Sequence, residues 1–310
     1  MPRCSENPAG RATPCRDNAI SAQAGLHRHQ LPLQSPRYLN PRGPVVLRRL
    51  LCLSFAGLLI SSPGWAAPCG DTSAGFEDWK SIMAAEAKAE GVGPAGIKAL
   101  KGASYSKATI GADRNQKSFK YSLAKFMDVR GAKAIAAQGR KRLAKNRAFY
   151  DGLRQQYGVD PGVLIAIHGM ETGFGNFMGD TNVVSAIATL TWDCRRSDFF
   201  RPHLMGALKL VDQGAISPAT IGAKHGELGH TQFLPGNALA YGVDGNGDGR
   251  VDLASMADAM ATTAHYLQQK GWQAGLGFQP GEPNFAVIGQ WNAASVYQQA
   301  IALIAADIDR

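Results

Sequence analysis

The segment from Asp160 to Gly175 constrains the fold of this chain more than any other stretch. It reads Asp-Pro-Gly-Val-Leu-Ile-Ala-Ile-His-Gly-Met-Glu-Thr-Gly-Phe-Gly. Asp160 is a suitable N-cap and Pro161 a suitable first helical residue, while Gly173 and Gly175 are typical of a helix end. Apolar residues recur between them at helical spacing. The segment therefore predicts an apolar helix that buries at least one face.

Glu171 is the only carboxylate inside this predicted helix, and its position makes it a candidate acid. Leu164, Ile167 and Glu171 share one face, so the carboxyl group continues an apolar stripe near the negative end of the helix dipole. Both effects disfavour the charged form. A carboxyl group that stays protonated near neutral pH can act as a general acid, as it does in enzymes that cleave sugars. From this helix alone, an ordinary solvated Glu at the end of a core helix is the simpler interpretation.

The first 66 residues differ from the rest of the chain. Met1 to Pro44 lacks helical or strand periodicity and predicts a disordered leader or a start site placed too far upstream. Leu47 to Ile60 combines a basic pair with an apolar run, and small residues follow around Ala66, as in a secretory signal. The apolar run is short for a membrane span. We therefore predict residues 1–66 as leader plus signal peptide, and residues 67–310 as an exported periplasmic domain without a stable membrane anchor.

Composition predicts a folded domain and gives little support to nucleic-acid binding. With 45% hydrophobic and 18% charged residues, the chain can bury a full core. The formal net charge is +9, but residues 1–66 hold eight Arg and only Glu6 and Asp17, so most of the excess lies in the segment expected to be removed. We expect a monomer without a nucleic-acid partner.

Cysteine usage also follows this division. Cys4, Cys15 and Cys52 lie in the predicted leader, which leaves Cys69 and Cys194 in the mature chain. An exported protein with a pair of cysteines favours a disulfide between them. The alternative is a pair of unbonded thiols.

The loop that begins at Asp244 partly follows the pattern of a calcium-binding loop. The candidate metal positions are Asp244, Asn246, Asp248, Arg250 and Asp252. Ser255 stands where a bidentate Glu is expected, so one strong ligand is missing. In the competing interpretation, Ser255 is an N-cap and Asp258 completes a capping box that opens the helix from Met256 to Lys270. We expect no required cofactor and, at most, a weakly held structural calcium ion.

Several common catalytic signatures are missing from the sequence. The histidines show no zinc-ligand spacing, and neither a Gly-x-Ser-x-Gly elbow nor a phosphate loop occurs. Gln232, in the glycine-punctuated stretch Gly226 to Pro235, offers a donor and an acceptor suited to sugar hydroxyl or acetamido groups. Glu171 is therefore the one carboxylate that these patterns single out.

Taken in order, these segments resemble the lytic murein transglycosylases of the membrane-bound transglycosylase B family. The stretches that carry the resemblance are Phe76-Glu-Asp-Trp79, Asp113-Arg-Asn-Gln116, Ile167-His-Gly-Met-Glu-Thr-Gly-Phe-Gly175, Ala188-Thr-Leu190 with Arg195-Arg196, Gly229-His-Thr-Gln-Phe-Leu-Pro235, the Asp244 loop and Trp291-Asn-Ala-Ala-Ser295. They span roughly Phe76 to Ile308. The pairing of Glu-Thr-Gly with Thr-Gln-Phe-Leu-Pro is specific, and it changes the preferred interpretation of Glu171 to a catalytic acid.

The resemblance implies a mainly α (α+β), lysozyme-like fold with a substrate cleft and a small irregular or β subdomain. It implies cleavage of the MurNAc–GlcNAc β-1,4 bond of peptidoglycan glycan strands, leaving a 1,6-anhydro-MurNAc end, with Glu171 as acid and then base. The matching substrate-binding positions are Gln232, Tyr266, Asn292, Tyr297, Arg195, Arg196 and Trp291.

This sequence departs from the family pattern at three positions. Ala223 stands where a cleft Ser often lies, Trp291 replaces a Tyr, and Ser255 replaces an acidic calcium ligand. The first two affect the expected details of subsite binding. The alternatives to a lytic transglycosylase are a non-catalytic peptidoglycan-binding module and a lysozyme-type hydrolase, which shares the acid but delivers water.

Overall fold

The computed structural model describes residues 68–115 and 120–310, and the regular structure within them is almost entirely helical. The helices are α1 (Phe76–Ala89), α2 (Pro94–Gly102), α3 (Lys107–Arg114), α4 (Leu123–Val129), α5 (Ala132–Lys145), α6 (Arg147–Tyr157), α7 (Pro161–Thr172), α8 (Val183–Trp192), α9 (Ser197–Asp212), α10 (Pro235–Tyr241), α11 (Met256–Gln269), α12 (Phe285–Trp291) and α13 (Ser295–Ile308). The strands β1 (Thr181–Asn182) and β2 (Ile221–Gly222) pair antiparallel, with Thr181 opposite Gly222. The predicted fold class, mainly α with a small β element, is confirmed.

Helix α7 is the centre of the larger hydrophobic core. Residues 161–170 are all buried, so the helix is enclosed on every side and not along one stripe. Its neighbours are α5, α6, α11 and α13. A methyl group on Gly162 would lie 2.5 Å from the carbonyl oxygen of Ala305, and one on Gly169 would lie 2.4 Å from Ile135. The glycines therefore allow α13 and α5 to pack closely against α7.

The ends of α7 confirm the predicted boundaries but correct the predicted cap. Asp160 occupies the N-cap position, but its side chain accepts no capping hydrogen bond and lies 3.5 Å from Arg154. The free amide of Gly162 instead donates to Asp309 Oδ1 at 2.9 Å, from the residue that follows α13. At the other end, Gly173 adopts the left-handed conformation with φ of 57°, which ends the helix two residues after Glu171.

A second hydrophobic cluster is built from α1, α2, α8 and α9. Phe76, Trp79 and Trp192 form its aromatic centre, with ring centroids 5.4 to 6.4 Å apart. The disulfide between Cys69 and Cys194 is present, which confirms the predicted pairing. It joins the segment before α1 to the turn between α8 and α9, beside Trp192. Trp192 Nε1 also donates to the carbonyl of Thr72 at 2.6 Å, so this segment is anchored twice.

The basic stretch from Lys133 to Arg154 forms two helices, because Asn146 ends α5 and begins α6. One local prediction, the capping box at Ser255, differs from the structure. Ser255 is the N-cap residue of α11, but its side chain makes no capping bond and Asp258 does not complete a capping box. Asp258 is fully buried and accepts the backbone amides of the preceding loop instead.

The predicted leader and signal peptide, residues 1–66, lie outside the described residues, as does Gln116 of the Asp113 motif. None of the helices in the described ranges is both long enough and apolar enough to cross a bilayer.

Candidate active site

A cavity of about 910 Å³ opens where α7, α12 and α13 face α9 and the loop that precedes α10. Both hydrophobic clusters contribute to its walls, because Glu171 comes from the core around α7 and Phe200 from the cluster around α9. Its lining residues are Arg130, Glu171, Arg196, Phe199, Phe200, His203, His225, Glu227, Gln232, Phe233, Leu234, Asn237, Tyr266, Gly289, Gln290, Trp291, Asn292, Ala293, Ala294 and Tyr297. Aromatic rings alternate with charged and amide groups, a lining suited to a sugar chain.

Glu171 presents its carboxyl group to this cavity from the last turn of α7. Trp291 Nε1 donates to Glu171 Oε1 at 2.9 Å, and the Tyr297 hydroxyl donates to the same oxygen at 2.7 Å. Burial raises the pKa of Glu171 from its ordinary value to about 7. The two hydrogen bonds and Arg130 act in the opposite direction, while the charge of Glu227 raises the pKa further. Near neutral pH this group can therefore both give and take a proton.

The two donors to Glu171 are fixed by packing. Trp291 ends α12 and lies edge-on to Phe233 and Tyr266, with centroids 5.1 and 5.7 Å away. Tyr266 donates its hydroxyl to the carbonyl of Gln290 at 2.8 Å, which ties α11 to α12. Tyr297 is buried in α13 and packs edge-on against Phe126. Because neither ring can rotate freely, one oxygen of Glu171 is held and the other is left as the proton-carrying side.

Gln232 lies on the opposite wall, in the loop between β2 and α10. Its backbone has φ of 58°, and Gln232 Nε2 donates to the carbonyls of Gly229 and Met178 at 2.8 and 3.3 Å. This orients the amide group so that its oxygen is the natural acceptor for a ligand. Asn292 also lines the cavity, and its Oδ1 accepts the amide of Ala294 at 2.9 Å. Gln232, Tyr266, Trp291, Asn292 and Tyr297 are thus brought together around Glu171.

The arginine pair is divided by the structure. Arg196 lines the cavity and stacks on Phe199 and Phe200, with its guanidinium 4.6 and 4.8 Å from their ring centroids. Arg195 is not among the lining residues and instead forms an ion pair with buried Asp113. Arg196 reaches the same carboxylate at 3.2 Å. Arg196 is therefore placed to contact a ligand, whereas Arg195 contacts Asp113 away from the cavity lining.

The cavity also contains charged residues that the sequence analysis did not single out. Glu227 is a second carboxylate in the wall, paired with His225, whose Nδ1 lies 3.4 Å from Glu227 Oε1. Arg130, which ends α4, lines the wall beside Tyr297. In the sequence, Glu227 is visible only as a charged residue between Gly226 and Gly229. The sequence patterns singled out Glu171 alone, and the structure adds Glu227 to the carboxylates of the cavity wall.

A histidine pair connects α7 to the Gln232 loop. His168 Nε2 and His230 Nδ1 lie 2.9 Å apart, one turn before Glu171 and two residues before Gln232. Burial lowers the pKa of His168 to about 3 and also lowers the pKa of His230, so the pair is uncharged at neutral pH. Thr172 adds a second tie by donating to the carbonyl of His230 at 2.7 Å. These contacts fix the distance between the wall that carries the acid and the wall that carries the amide.

The candidate calcium residues lie on the loop between α10 and α11. The amides of Gly247 and Gly249 each donate to Asp244 at 2.7 Å, and Arg250 N donates to Asp248 at 2.9 Å. Asn246 donates to Asp248, and Asp252 accepts the amide of Ala254. Within residues 68–115 and 120–310, no three acidic, histidine or cysteine side chains converge as a metal site. As arranged, the carboxylates bind backbone amides and do not fit a calcium ion.

Residues 75–281 match the family described as "Transglycosylase SLT domain". Membrane-bound lytic murein transglycosylase B of Escherichia coli strain K12 is 35% identical over 150 residues, which are 46% of this chain and 40% of that protein. This chain thus matches less than half the length of that relative.

Solved structures with the same fold include SltB3 of Pseudomonas aeruginosa, in complex with NAG-anhNAM-pentapeptide. It is 28% identical with a TM-score of 0.68, covering 76% of this chain and 79% of that one. Slt35 of Escherichia coli, in complex with bulgecin A, has a TM-score of 0.67 at 20% identity and covers 78% of this chain and 96% of that one. The second likeness concerns the fold alone.

Proposed function

The chain belongs to the transglycosylase SLT domain family, and from this premise we propose that it is a peptidoglycan lytic transglycosylase. It cleaves the β-1,4 bond between MurNAc and GlcNAc and leaves a 1,6-anhydro-MurNAc end. The observation that carries this proposal is the carboxyl group of Glu171, which meets the cavity with a pKa of about 7 and with one oxygen held by Trp291 and Tyr297. Two related proteins support the same substrate class: membrane-bound lytic murein transglycosylase B of Escherichia coli, and SltB3 of Pseudomonas aeruginosa in complex with NAG-anhNAM-pentapeptide.

In the first step Glu171 acts as the acid. It transfers its proton to the glycosidic oxygen as the bond from that oxygen to C1 of MurNAc breaks, which frees the 4-hydroxyl group of GlcNAc. Positive charge develops at C1, and the acetamido group of the same sugar stabilises it. The Glu171 carboxylate that remains is stabilised by the hydrogen bonds from Trp291 and Tyr297.

In the second step Glu171 acts as the base. It takes the proton of the C6 hydroxyl group as the oxygen at C6 bonds to C1, so the ring closes and the enzyme regains its starting protonation state. No water is consumed. The internal hydroxyl group has a far higher effective concentration than a loosely held water molecule.

Gln232, Tyr266, Asn292 and Arg196 are proposed to hold the glycan, because all of them line the cavity around Glu171. Arg195 is proposed to act indirectly, by sharing Asp113 with Arg196. We further propose an exported, periplasmic and monomeric enzyme without a nucleic-acid partner or a required cofactor. The disulfide supports an oxidising compartment.

The proposal is tested by digesting purified peptidoglycan sacculi and weighing the released muropeptides by mass spectrometry. We expect anhydro ends, which are lighter than reducing ends by one water. Glu227 places a second carboxylate in the cavity, so the number of carboxylates does not separate a lyase from a hydrolase and the product does. Reducing ends alone would make the protein a hydrolase, and tight binding without release would make it a binding module.

Glu171→Gln is the matched variant in this assay. The amide retains the shape of the side chain, but its N–H protons are too weakly acidic to be transferred to the leaving group, so release should fall by a factor of about 10³. Asp151→Asn, on the exposed face of α6, is the control and should release muropeptides at the wild-type rate.

A further inference from the structure

Arg130 differs from the other arginine that lines the cavity. Arg196 shares the carboxylate of Asp113 with Arg195 and also interacts electrostatically with Glu227. The two carboxylates therefore balance the positive charge of the two arginines on that wall. Arg130 lies on the opposite side, at the end of α4, and is half-buried. In the part of the chain that the structure describes, no carboxylate oxygen lies within 4.0 Å of its guanidinium group.

The guanidinium group of Arg130 is nevertheless held in place. It lies 5.3 Å from the ring centroid of Phe126 and 5.9 Å from that of Tyr297. Tyr297 in turn donates its hydroxyl group to Glu171 at 2.7 Å. This series of contacts holds the cation on the side of the cavity that carries Glu171, with no carboxylate within 4.0 Å among the described residues. A half-buried cation with a planar set of donors is a strong binding group for a carboxylate.

We propose that Arg130 binds a carboxylate of the substrate strand next to the bond that is cleaved. This inference rests on the proposed peptidoglycan substrate. The muramic sugar carries a lactyl group on C3, which ends in a free carboxylate when no peptide is attached. When a peptide is attached, the lactyl group is an amide and the stem peptide supplies carboxylates of its own. Both sources present the same group to Arg130.

Binding of a carboxylate here also has a consequence for the acid. The positive charge of Arg130 favours the ionised form of Glu171, and a bound anion compensates that charge. An anionic strand therefore helps to keep the proton on Glu171 until the glycosidic oxygen takes it. A neutral strand lacks this effect, so Arg130 makes the enzyme selective for strands that carry a carboxylate near the scissile bond.

The test measures binding separately from cleavage. Three soluble strands are compared: peptide-bearing, peptide-free with lactyl carboxylates, and peptide-free with those carboxylates converted to methylamides. Affinity is measured by calorimetry in the inactive Glu171→Gln background, with and without Arg130→Gln. We expect Arg130→Gln to weaken binding about tenfold on at least one of the two anionic strands, and to leave the methylamide strand unchanged. The anionic strand that is affected identifies the source of the carboxylate.

Cleavage by the Arg130 variants with Glu171 intact gives a second measurement. At a pH of about 5.5, Glu171 is protonated with or without Arg130, so the expected effect on anionic strands is a rise in KM at nearly constant kcat. Arg130→Lys keeps the positive charge but not the planar set of donors, so KM for anionic strands should rise less, by about threefold. Arg147→Gln, an exposed arginine on α6, is the matched control and should match the parent.

An equal loss on all three strands would overturn the inference, since it would show that Arg130 only supports Tyr297. The inference is also overturned if Arg130→Gln changes the binding of none of the three strands. Unchanged thermal melting of Arg130→Lys guards against a folding defect. These outcomes are separate from the proposed function, which fails if the wild-type enzyme releases no anhydro product from sacculi, whatever the binding data show.

Discussion

At the scale of single residues, the environment that is proposed to make Glu171 an acid is costly for stability. Burial holds the pKa of its carboxyl group at about 7, well above the ordinary value of 4.5. The folded protein therefore binds this proton more tightly than the unfolded chain does. The resulting stability is fully present below about pH 4.5 and is lost as the pH rises through about 7. A protein that evolved only for stability would not keep a carboxyl group here.

We expect Glu171→Gln to be more stable than the wild type at alkaline pH and equally stable in acid. One pKa unit corresponds to 1.36 kcal/mol, and partial exposure of Glu171 to solvent reduces the energetic effect of its raised pKa. The difference in unfolding free energy between the two proteins should therefore reach about 2 kcal/mol near pH 8. Urea unfolding of both proteins at about pH 4 and about pH 8 measures it. A difference that does not change with pH would show that Glu171 ionises normally in the fold.

The sequence predicted the position of Glu171 but not its complete environment. Its place at the end of a buried helix could be predicted because helical spacing, apolar neighbours and the stop at Gly173 are all local, whereas its role as an acid came from the family resemblance. Its partner Tyr297 is 126 residues away, and its donor role depends on how α13 packs on α7. Glu227 and Arg130 reach the cavity for the same reason, through tertiary packing that no local pattern encodes. Gln232 was identified as a sugar-binding candidate, whereas its positive φ became visible only in the structure.

At the scale of secondary-structure elements, α7 and α13 depend on each other. The start of α7 lacks a side-chain cap of its own, and Asp309 after α13 accepts the amide of Gly162 at 2.9 Å. Sequence patterns predicted the bounds of α7 correctly because Pro161 and Gly173 act locally. The same patterns did not predict the cap of α7, because Asp309 is distant in sequence from Gly162. They also predicted a capping box at Ser255 that does not form, because Asp258 accepts amides of the preceding loop. Local rules therefore predicted these helices, whereas tertiary contacts replaced the side-chain caps predicted at the starts of α7 and α11.

Asp309→Ala should destabilise the protein by about 1 kcal/mol through loss of this cap. The pKa of Asp309 is raised to about 6 by burial, so Asp309→Asn, which keeps an acceptor and removes the buried charge, should cost less above that pH. Urea unfolding at about pH 8 compares the two variants. Asp307→Ala, an exposed neighbour paired with Arg140, is the control. An Asp309→Ala protein as stable as the control would show that solvent caps α7 equally well.

The carboxylates of the loop between α10 and α11 accept hydrogen bonds from the loop's own backbone amides. Asp258 accepts the amides of Gly245, Asn246 and Asp252 at 2.8 to 3.2 Å, and backbone amides, first that of Gly249, lower the pKa of Asp244. Calcium would have to compete with these bonds and would also lack the ligand that Ser255 replaces. The loop is therefore expected to fold in a calcium-free solution.

We expect thermal melting to change by no more than about 2 °C between millimolar calcium and excess chelator, which corresponds to well under 1 kcal/mol. Asp244→Asn should lower the melting temperature by a similar amount in both solutions, because it weakens the acceptor of the loop amides and not a metal site. A large stabilisation by calcium that Asp244→Asn removes would show that the loop is a metal site.

At the scale of the whole molecule, the cavity lies between two hydrophobic clusters that are stabilised in different ways. The cluster around α7 is large and encloses its central helix completely. The smaller cluster of α1, α2, α8 and α9 carries Arg196 and Phe199 at one wall of the cavity and is closed by the disulfide. We therefore expect the geometry of the cleft to depend on covalent closure of the smaller cluster.

Loss of the disulfide should destabilise the smaller cluster first. Cys69 and Cys194 are 125 residues apart, so removing the cross-link releases a long loop in the unfolded chain and should cost about 4 kcal/mol. We expect Cys69→Ser/Cys194→Ser to show faster amide hydrogen exchange in α1, α2 and α8, while α7 and α13 exchange at the wild-type rate. Glu171 should keep its environment, but activity should fall because Arg196 and the opposing wall become mobile. Non-reducing peptide mapping of the wild-type protein should first show the linked pair. Equal exchange in every helix of the variant would mean that the two clusters unfold as one unit and that the cleft does not depend on the cross-link.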